Sequence, residues 1–513
     1  MSIAKKDNLH LLIKSLSKTE KKYFRDFLKK SSQPKLYLQL FNQLEKQSKH
    51  DKNEIKKVFD TKAKELPVIK TYLTQILLKS LTNFHRQSSN FDKIHQKFSE
   101  INILLQKELF DIAEFEIEKI ISLCRKKDFQ HELLQSLEFK KQFLLQKFGP
   151  GSETSKKALL EAIEEQNSLL GKIYNLHQYQ EIQASFYEHF HQTAGLNPTI
   201  YTNLHKNSLL AEEKSAESLP AQILRAELLY SLHIFKDKNY QEARQSIEKV
   251  IKQIEYNPEF IRENPLTYLS LLNKQVELLL HLKHFTEIPL AIEKIRQVPE
   301  SYQLDTLQPA VVRPMMEASA LELQLYTSIK DHIHAENLIS KLDQQFKNLD
   351  SPALKQWPVI LNAQIAEYYL ETDQISQAVQ RIKTIKSAES SLRENETLFQ
   401  TLQLDLILAL KQKNFLQLKQ SLQHLQKYYQ AFRKPTRLEK HFLKMLKDFP
   451  TLLIQPRKHK QLKKRLLELN DAFEKSTDQN HSRYSAKIGN LDKTRQILDL
   501  INDETLLHFN LKA

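Results

Sequence analysis

Residues 239–250 read NYQEARQSIEKV, and two further stretches, LFDIAEFEIEKI at 109–120 and HFTEIPLAIEKI at 284–295, repeat its spacing of apolar residues. In each stretch an aromatic residue is followed three positions later by a small or aliphatic residue, and seven and ten positions later by aliphatic residues. These offsets place all four side chains on one face of an α-helix. The shared spacing therefore predicts the same amphipathic helix three times.

This four-position spacing, called the template below, occurs six times, three of them in a weaker form. Its copies begin at Phe110, Tyr240, Phe285, His332, Ile375 and Phe415. Another helical stretch precedes each copy, so the predicted unit is a helix, a short turn and a second helix, recurring every 40–47 residues between 240 and 415. Prolines, which interrupt helices, are expected to mark the downstream ends of the units. They are Pro258, Pro299, Pro352 and Pro435.

Glycine is scarce, with 5 residues in a chain of 513, where average usage would give about 36. Because glycine supplies the positive φ angles of tight turns, we expect long helices and few sharp reversals. Hairpin dipeptides such as Asn-Gly and sustained apolar–polar alternation are both missing from the sequence, while helix-forming residues dominate it. The composition predicts an all-α protein.

One helix pair cannot cover its own apolar face, so recurring pairs are expected to stack into an α-solenoid. The template resembles the second helix of the tetratricopeptide repeat, and residues 239–250 match that helix best. The resemblance extends in outline over residues 91–435 and in detail over about six units, although the usual period is about 34 residues. The small residue that the family places in the first helix is mostly replaced here, for example by Val276 and Leu323.

The resemblance implies that the α-solenoid is right-handed and that its first helices line a concave groove for an extended peptide or a partner helix. Carrying the pattern over by position places five residues near that groove. They are Arg225, Asn273, Glu277, Gln364 and Glu367. The alternative is that these are ordinary polar residues on solvent-facing helices, which need no ligand.

The amino terminus lacks the uninterrupted apolar segment of a secretory signal, and no apolar run approaches the ~20 residues that cross a bilayer. Cys124 is the single cysteine, which excludes an internal disulfide, and its place on an apolar helix face indicates a buried, unreactive thiol. We therefore expect a cytoplasmic protein.

The charge is uneven and suggests three regions: a basic helical region at 1–90, the repeats at 91–435 with a possible break at 148–152, and a helical region at 436–513 with a basic segment. Residues 1–90 carry a net charge of +12 and residues 433–465 a net charge of +10. A capping box from Ser17 to Glu20 begins one basic helix. The candidate basic surface comprises Lys18, Lys21, Lys22, Arg25, Lys29, Arg457, Lys458, Lys460, Lys463, Lys464 and Arg465. It could hold an anionic partner, or it could be a solvated structural face, since lysine greatly outnumbers arginine in the first block.

Motifs for catalysis are missing. No glycines are arranged to cradle phosphate, and HELLQ at 131–135 lacks the second histidine of a zinc-protease helix. His281 and His284 lie one helical turn apart and would need a further ligand to hold a metal. We expect no catalytic residue, no metal and no cofactor. Three hypotheses remain: a non-enzymatic protein-interaction scaffold or adaptor, a nucleic-acid- or ribosome-associated protein that uses the basic ends, and a peptide-responsive regulator.

Overall fold

The computed structural model describes residues 8–29, 34–47, 51, 54–55, 59, 65–85, 90–149, 152–193, 204, 207–234, 239–304, 306, 309–347, 357–387, 396–432, 437–454, 464, 467–468 and 497. Every regular element within these ranges is a helix, and no strand occurs in them. The prediction of an all-α protein is confirmed. None of the described helices is long and apolar enough to cross a membrane.

The described residues form two compact units, one up to Ile173 and the other from Tyr174 onward. The first unit contains α1 (Asn8–Ser15), α2 (Lys18–Leu28), α3 (Pro34–Lys46), α4 (Leu66–His85), α5 (Asn90–Gln106), α6 (Phe110–Lys127), α7 (Gln130–Phe148) and the first half of α8 (Glu153–Thr193).

The second unit contains the remainder of α8 and thirteen further helices. They are α9 (Ser208–Ala211), α10 (Leu219–Leu232), α11 (Tyr240–Glu255), α12 (Pro258–Glu263), α13 (Pro265–His281), α14 (Ile288–Ser301), α15 (Pro309–Ser328), α16 (His332–Lys347), α17 (Trp357–Glu371), α18 (Ile375–Ser387), α19 (Glu396–Lys411), α20 (Phe415–Phe432) and α21 (Arg437–Ile454). A short 3₁₀ turn (Glu213–Ser215) precedes α10. Ile497 is fully buried in the same core as Leu446 of α21.

The template side chains are core residues. Positions two, three and four of all six copies expose 5% or less of their surface. They are Ala113, Ile117 and Ile120; Ala243, Ile247 and Val250; Ile288, Ile292 and Ile295; Ala335, Ile339 and Leu342; Ala378, Ile382 and Ile385; and Leu418, Leu422 and Leu425. The first position is half-buried in five copies and exposed in the weaker copy that begins at His332. The amphipathic face predicted from the spacing is confirmed.

The turn before the template helix has the same backbone geometry in five copies. The residue two positions before the template adopts a left-handed conformation, with φ of 53–58°. These residues are Glu108, Lys283, Lys330, Asp373 and Lys413. The next N–H donates to the carbonyl five residues earlier, as from His284 to Leu279 at 2.9 Å and from Asn414 to Ala409 at 2.9 Å. This is the hydrogen bond of a Schellman helix ending.

The expectation of few sharp reversals is therefore wrong. Asp128 and Gln303 also have positive φ, so seven described non-glycine residues adopt the left-handed conformation. Polar side chains without β-branching can take this conformation at a cost of roughly 1–2 kcal/mol each. The chain makes tight turns without glycine, and glycine scarcity does not predict their number.

Helices of the second unit contact one another in a regular succession. Helix α13 packs against α15, α15 against α17 and α17 against α19, while α14, α16, α18 and α20 each pack against the helix before them. Pro258 follows the end of α11 at Glu255, as predicted, and also begins α12, where its missing N–H costs nothing. Pro299 instead lies within the last turn of α14. Pro352 and Pro435 lie outside the described residues.

The first unit has two described cores. In one of them, Phe24 and Leu28 of α2 pack with Phe41, Leu73 and other apolar residues of α3 and α4. The predicted capping box is confirmed, because the Ser17 side chain accepts from the Glu20 N–H and the Glu20 carboxylate accepts from the Ser17 N–H. The second core joins α5, α6 and α7 and contains Cys124, which is fully buried as predicted.

Candidate functional site

The five residues predicted near a groove lie in three separate places of the second unit. Asn273 and Glu277 lie on α13 in a polar junction that also includes Glu227 and Tyr230 of α10, Lys274 of α13 and Glu317 of α15. Arg225 faces a cleft on another side of α10. Gln364 and Glu367 lie on α17.

The polar junction is held by hydrogen bonds between helices. The Tyr230 hydroxyl donates to the Glu277 carboxylate, and Lys274 Nζ donates to Glu227 Oε1 at 2.7 Å. Lys274 also lies over the Tyr230 ring, 5.9 Å from its centroid. Both hydrogen bonds join residues 47 positions apart, which is within the predicted unit length. The junction thus connects the first helices of two neighbouring helix pairs, α10 and α13.

Asn273 is buried, with 5% of its surface exposed. Its Nδ2 donates to the Pro314 carbonyl at 2.9 Å and to Glu317 Oε2 at 3.3 Å. Its Oδ1 accepts no hydrogen bond from any described residue. The expectation that Asn273 lies at a solvent-facing groove is wrong, because its side chain fixes α13 to α15.

The pKa values of two carboxylates in the junction are shifted in opposite directions. Burial raises the pKa of Glu277, but the nearby His281, the hydrogen bond from the Tyr230 hydroxyl and the charge of Lys274 outweigh it, so the pKa lies below its usual value. The pKa of Glu317 is raised, because burial outweighs the influence of Lys274 and Asn273. Glu277 is only half-buried, so it presents a stable negative charge at the surface.

Helix α17 carries the other two predicted residues. Gln364 and Glu367 are both half-buried, and Gln364 Oε1 is enclosed without a donor among the described residues. The neighbouring Asn362, which occupies in LNAQI the place of Asn273 in LNKQV, donates to the Pro358 carbonyl at 2.6 Å and accepts from Arg381 at 3.0 Å. The two matching asparagines therefore have different contacts, and the sequence echo does not mark a shared site.

Arg225 lies in a cleft of about 580 Å³ between α10, α11 and the segment 210–213. Its Nη2 donates to the Leu210 carbonyl at 2.6 Å, whereas its Nε is enclosed and has no acceptor among the described residues. Burial lowers the pKa of Arg225, although the nearby Tyr179 and Glu242 oppose the shift.

Ion pairs occupy part of the basic surface on α2. Arg25 contacts Glu45 Oε2 at 2.6 Å, Lys21 lies 3.5 Å from the same carboxylate, and Lys29 pairs with Asp26. Lys18 and Lys22 are exposed. In the second block, Lys464 is exposed and lies 3.9 Å from Glu468, while Arg457, Lys458, Lys460, Lys463 and Arg465 lie outside the described residues.

The sequence did not reveal Glu227, Tyr230, Lys274 or Glu317 as members of the junction. Both pairs are complementary in chemistry and 47 positions apart, Glu227 with Lys274 and Tyr230 with Glu277. The two template copies beside them are 45 positions apart, so the repeat spacing did not point to these pairs.

The histidines singled out from the sequence contact carboxylates. His281 lies 3.9 Å from Glu277 and stacks on Tyr240, and His284 lies 2.9 Å from Glu287. Within the part of the chain that the structure describes, no group of three or more His, Cys, Asp or Glu residues is placed to hold a metal. No protein-family model, curated protein or solved structure matches the chain.

Proposed function

We propose that this protein is a non-enzymatic, cytoplasmic interaction scaffold whose helix pairs stack as a right-handed α-solenoid similar to tetratricopeptide repeats. The proposal is supported mainly by a recurring structural feature. Six template copies bury the same three positions, and five of them follow the same left-handed turn. Arrays of this kind commonly present an extended surface to a protein partner.

The polar junction is the surface that we assign to the partner. It contains three glutamates, Glu227, Glu277 and Glu317, against one lysine, Lys274, and hydrogen bonds fix these side chains across α10, α13 and α15. A fixed acidic surface favours a partner segment that carries lysine or arginine. The preferred partner is therefore an extended or helical basic segment of another protein.

Affinity capture of the tagged full-length chain from its native host, with and without nuclease, tests the proposal. The decisive variant is Glu277→Gln, which removes the surface charge and keeps an acceptor for Tyr230. Glu293→Gln on the exposed side of α14 is the matched control. We expect a protein that survives nuclease and binds the Glu277→Gln variant about two- to fivefold more weakly in purified form, the effect of one surface charge pair.

Two other outcomes would replace this proposal. Capture that disappears with nuclease would favour the nucleic-acid- or ribosome-associated alternative, in which the basic ends bind and affinity falls steeply with salt. A partner peptide that changes the small-angle scattering profile of the protein would favour the peptide-responsive regulator. Equal capture by the wild type and both variants would show that the polar junction does not bind the partner.

A further inference from the structure

The cleft beside Arg225 has the dimensions of a small-molecule site. Its volume of about 580 Å³ lies within the ~300–1,000 Å³ of typical ligand pockets. Its wall includes the apolar side chains of Leu210, Ala226, Leu232 and Val250, all buried, together with half-buried Leu229. A hydrocarbon group placed against this wall would be removed from water.

The charge of Arg225 has no carboxylate partner among the described residues. Six other arginines each reach a carboxylate oxygen at 3.2 Å or less. They are Arg25, Arg125, Arg244, Arg262, Arg296 and Arg381. Arg225 instead donates to a neutral carbonyl and leaves its Nε without an acceptor. A guanidinium that lines a cleft and has no carboxylate partner can bind the carboxylate of a ligand, and such charge-assisted hydrogen bonds are roughly twice as strong as neutral ones.

The other charged side chains of the cleft also have contacts of their own. Lys249 forms an ion pair with Glu213, and Glu242 accepts from Asn239 Nδ2 at 2.7 Å and lies 3.7 Å from His233 Nε2. The cleft thus holds two cationic side chains, Arg225 and Lys249, and two carboxylates, Glu213 and Glu242, so a ligand with one negative charge disturbs this balance least. A phosphate dianion would bring a second charge towards Glu213 and Glu242.

We propose that this cleft binds a small organic monoacid, with its carboxylate on Arg225 and its apolar body against Leu229 and Val250. This binding site is separate from the polar junction and does not depend on the proposed scaffold function. It would let the protein respond to an organic acid.

Isothermal titration calorimetry of the full-length protein with octanoate and with phenylacetate tests the site. The neutral analogues octan-1-ol and 2-phenylethanol test the need for charge, and inorganic phosphate tests for general anion binding. We expect one site for at least one acid, with the alcohol binding about tenfold more weakly or worse, the effect of one charge-assisted hydrogen bond.

Three variants make the result specific. Arg225→Gln should weaken binding by about tenfold or more, and Ser246→Trp should block the cleft from its half-buried wall while leaving Arg225 in place. Arg313→Gln removes an exposed arginine that lies over Trp357 and should bind normally. No binding of either acid up to about 10 mM, equal binding of acid and alcohol, or equal binding by wild type, Arg225→Gln and Ser246→Trp would overturn the proposal.

Discussion

Lys283 and Lys413 adopt the same left-handed conformation, with φ of 58° and 53°, and each lies two positions before the first residue of a template copy. In both turns the following N–H bonds to the carbonyl five residues earlier. Two lysines 130 positions apart in the sequence thus occupy the left-handed position at a helix end where glycine is usual. Both should be sites where a substitution improves stability.

Lys283→Gly is expected to stabilise the second unit by about 0.5–1 kcal/mol, because relief of left-handed strain exceeds the entropy that glycine adds to the unfolded chain. Urea unfolding followed by circular dichroism measures the change. Lys341→Gly, in the interior of α16 and exposed, is the control and should destabilise by about 1 kcal/mol. A destabilised Lys283→Gly variant would mean that the turn is not strained.

The second position of the template is closely packed in every copy. Ala243 is fully buried between neighbouring helices, so Ala243→Leu should destabilise the protein by about 1–3 kcal/mol through overpacking. Gln241→Leu introduces the same side chain two residues earlier, at an exposed position, and should change the unfolding free energy by less than about 0.5 kcal/mol. Equal urea midpoints for the two variants would contradict the assigned helix face.

Cys124 offers a direct probe of the first unit. Its Sγ is fully buried beside Ser136 Oγ at 3.9 Å, and burial raises the pKa of the thiol to about 11. The native protein should react with a thiol reagent at least about 100-fold more slowly than a Cys124→Ser/Ser376→Cys variant, whose cysteine replaces an exposed serine. Similar rates would show that α6 opens readily.

The same pKa shift gives stability a definite pH dependence. The unfolded chain loses the Cys124 proton near pH 9, whereas the folded chain keeps it to about pH 11. Unfolding then releases a proton, so the contribution of Cys124 to stability falls as the pH rises through this window. The slope of the unfolding free energy against pH should be smaller in Cys124→Ser, and an unchanged slope would exclude this thiol as its source.

Helix faces could be predicted from the sequence because burial follows the period of the backbone. The offsets of 3, 7 and 10 residues depend only on helix geometry, and the buried Ala113, Ala243 and Ala378 confirm them. The turns could not be predicted in the same way. Lys283 and Lys330 adopt positive φ, although lysine is not a residue type that signals this conformation.

The candidate site was harder to predict because it depends on contacts between neighbouring helix pairs within the second unit. Arg225 and Glu227 are two positions apart on α10, yet one faces the cleft and the other contacts Lys274. Carrying positions over from a shorter repeat placed Arg225 and Asn273 on one surface, whereas the structure separates them. The helix pairs recur at a longer spacing here than in the shorter repeat, so different residues of the first helices contact one another. The pattern of residues within a single helix does not indicate which ones these are.

The basic residues of α2 should differ in their effect on stability, because some contact other residues of the first unit and others are only exposed. Arg25 bonds to Glu45 at 2.6 Å and lies over the Phe41 ring at 5.4 Å, so Arg25→Ala should destabilise the first unit by about 1–2 kcal/mol. Lys22→Ala, at an exposed position of the same helix, should change the unfolding free energy by less than about 0.5 kcal/mol. Urea unfolding of both variants measures this difference. Lys22→Ala could instead weaken binding to DNA or RNA at constant stability and reduce the dependence of that binding on salt. The exposed lysines would then form a nucleic-acid-binding surface, and the protein would bind nucleic acid as well as a protein partner.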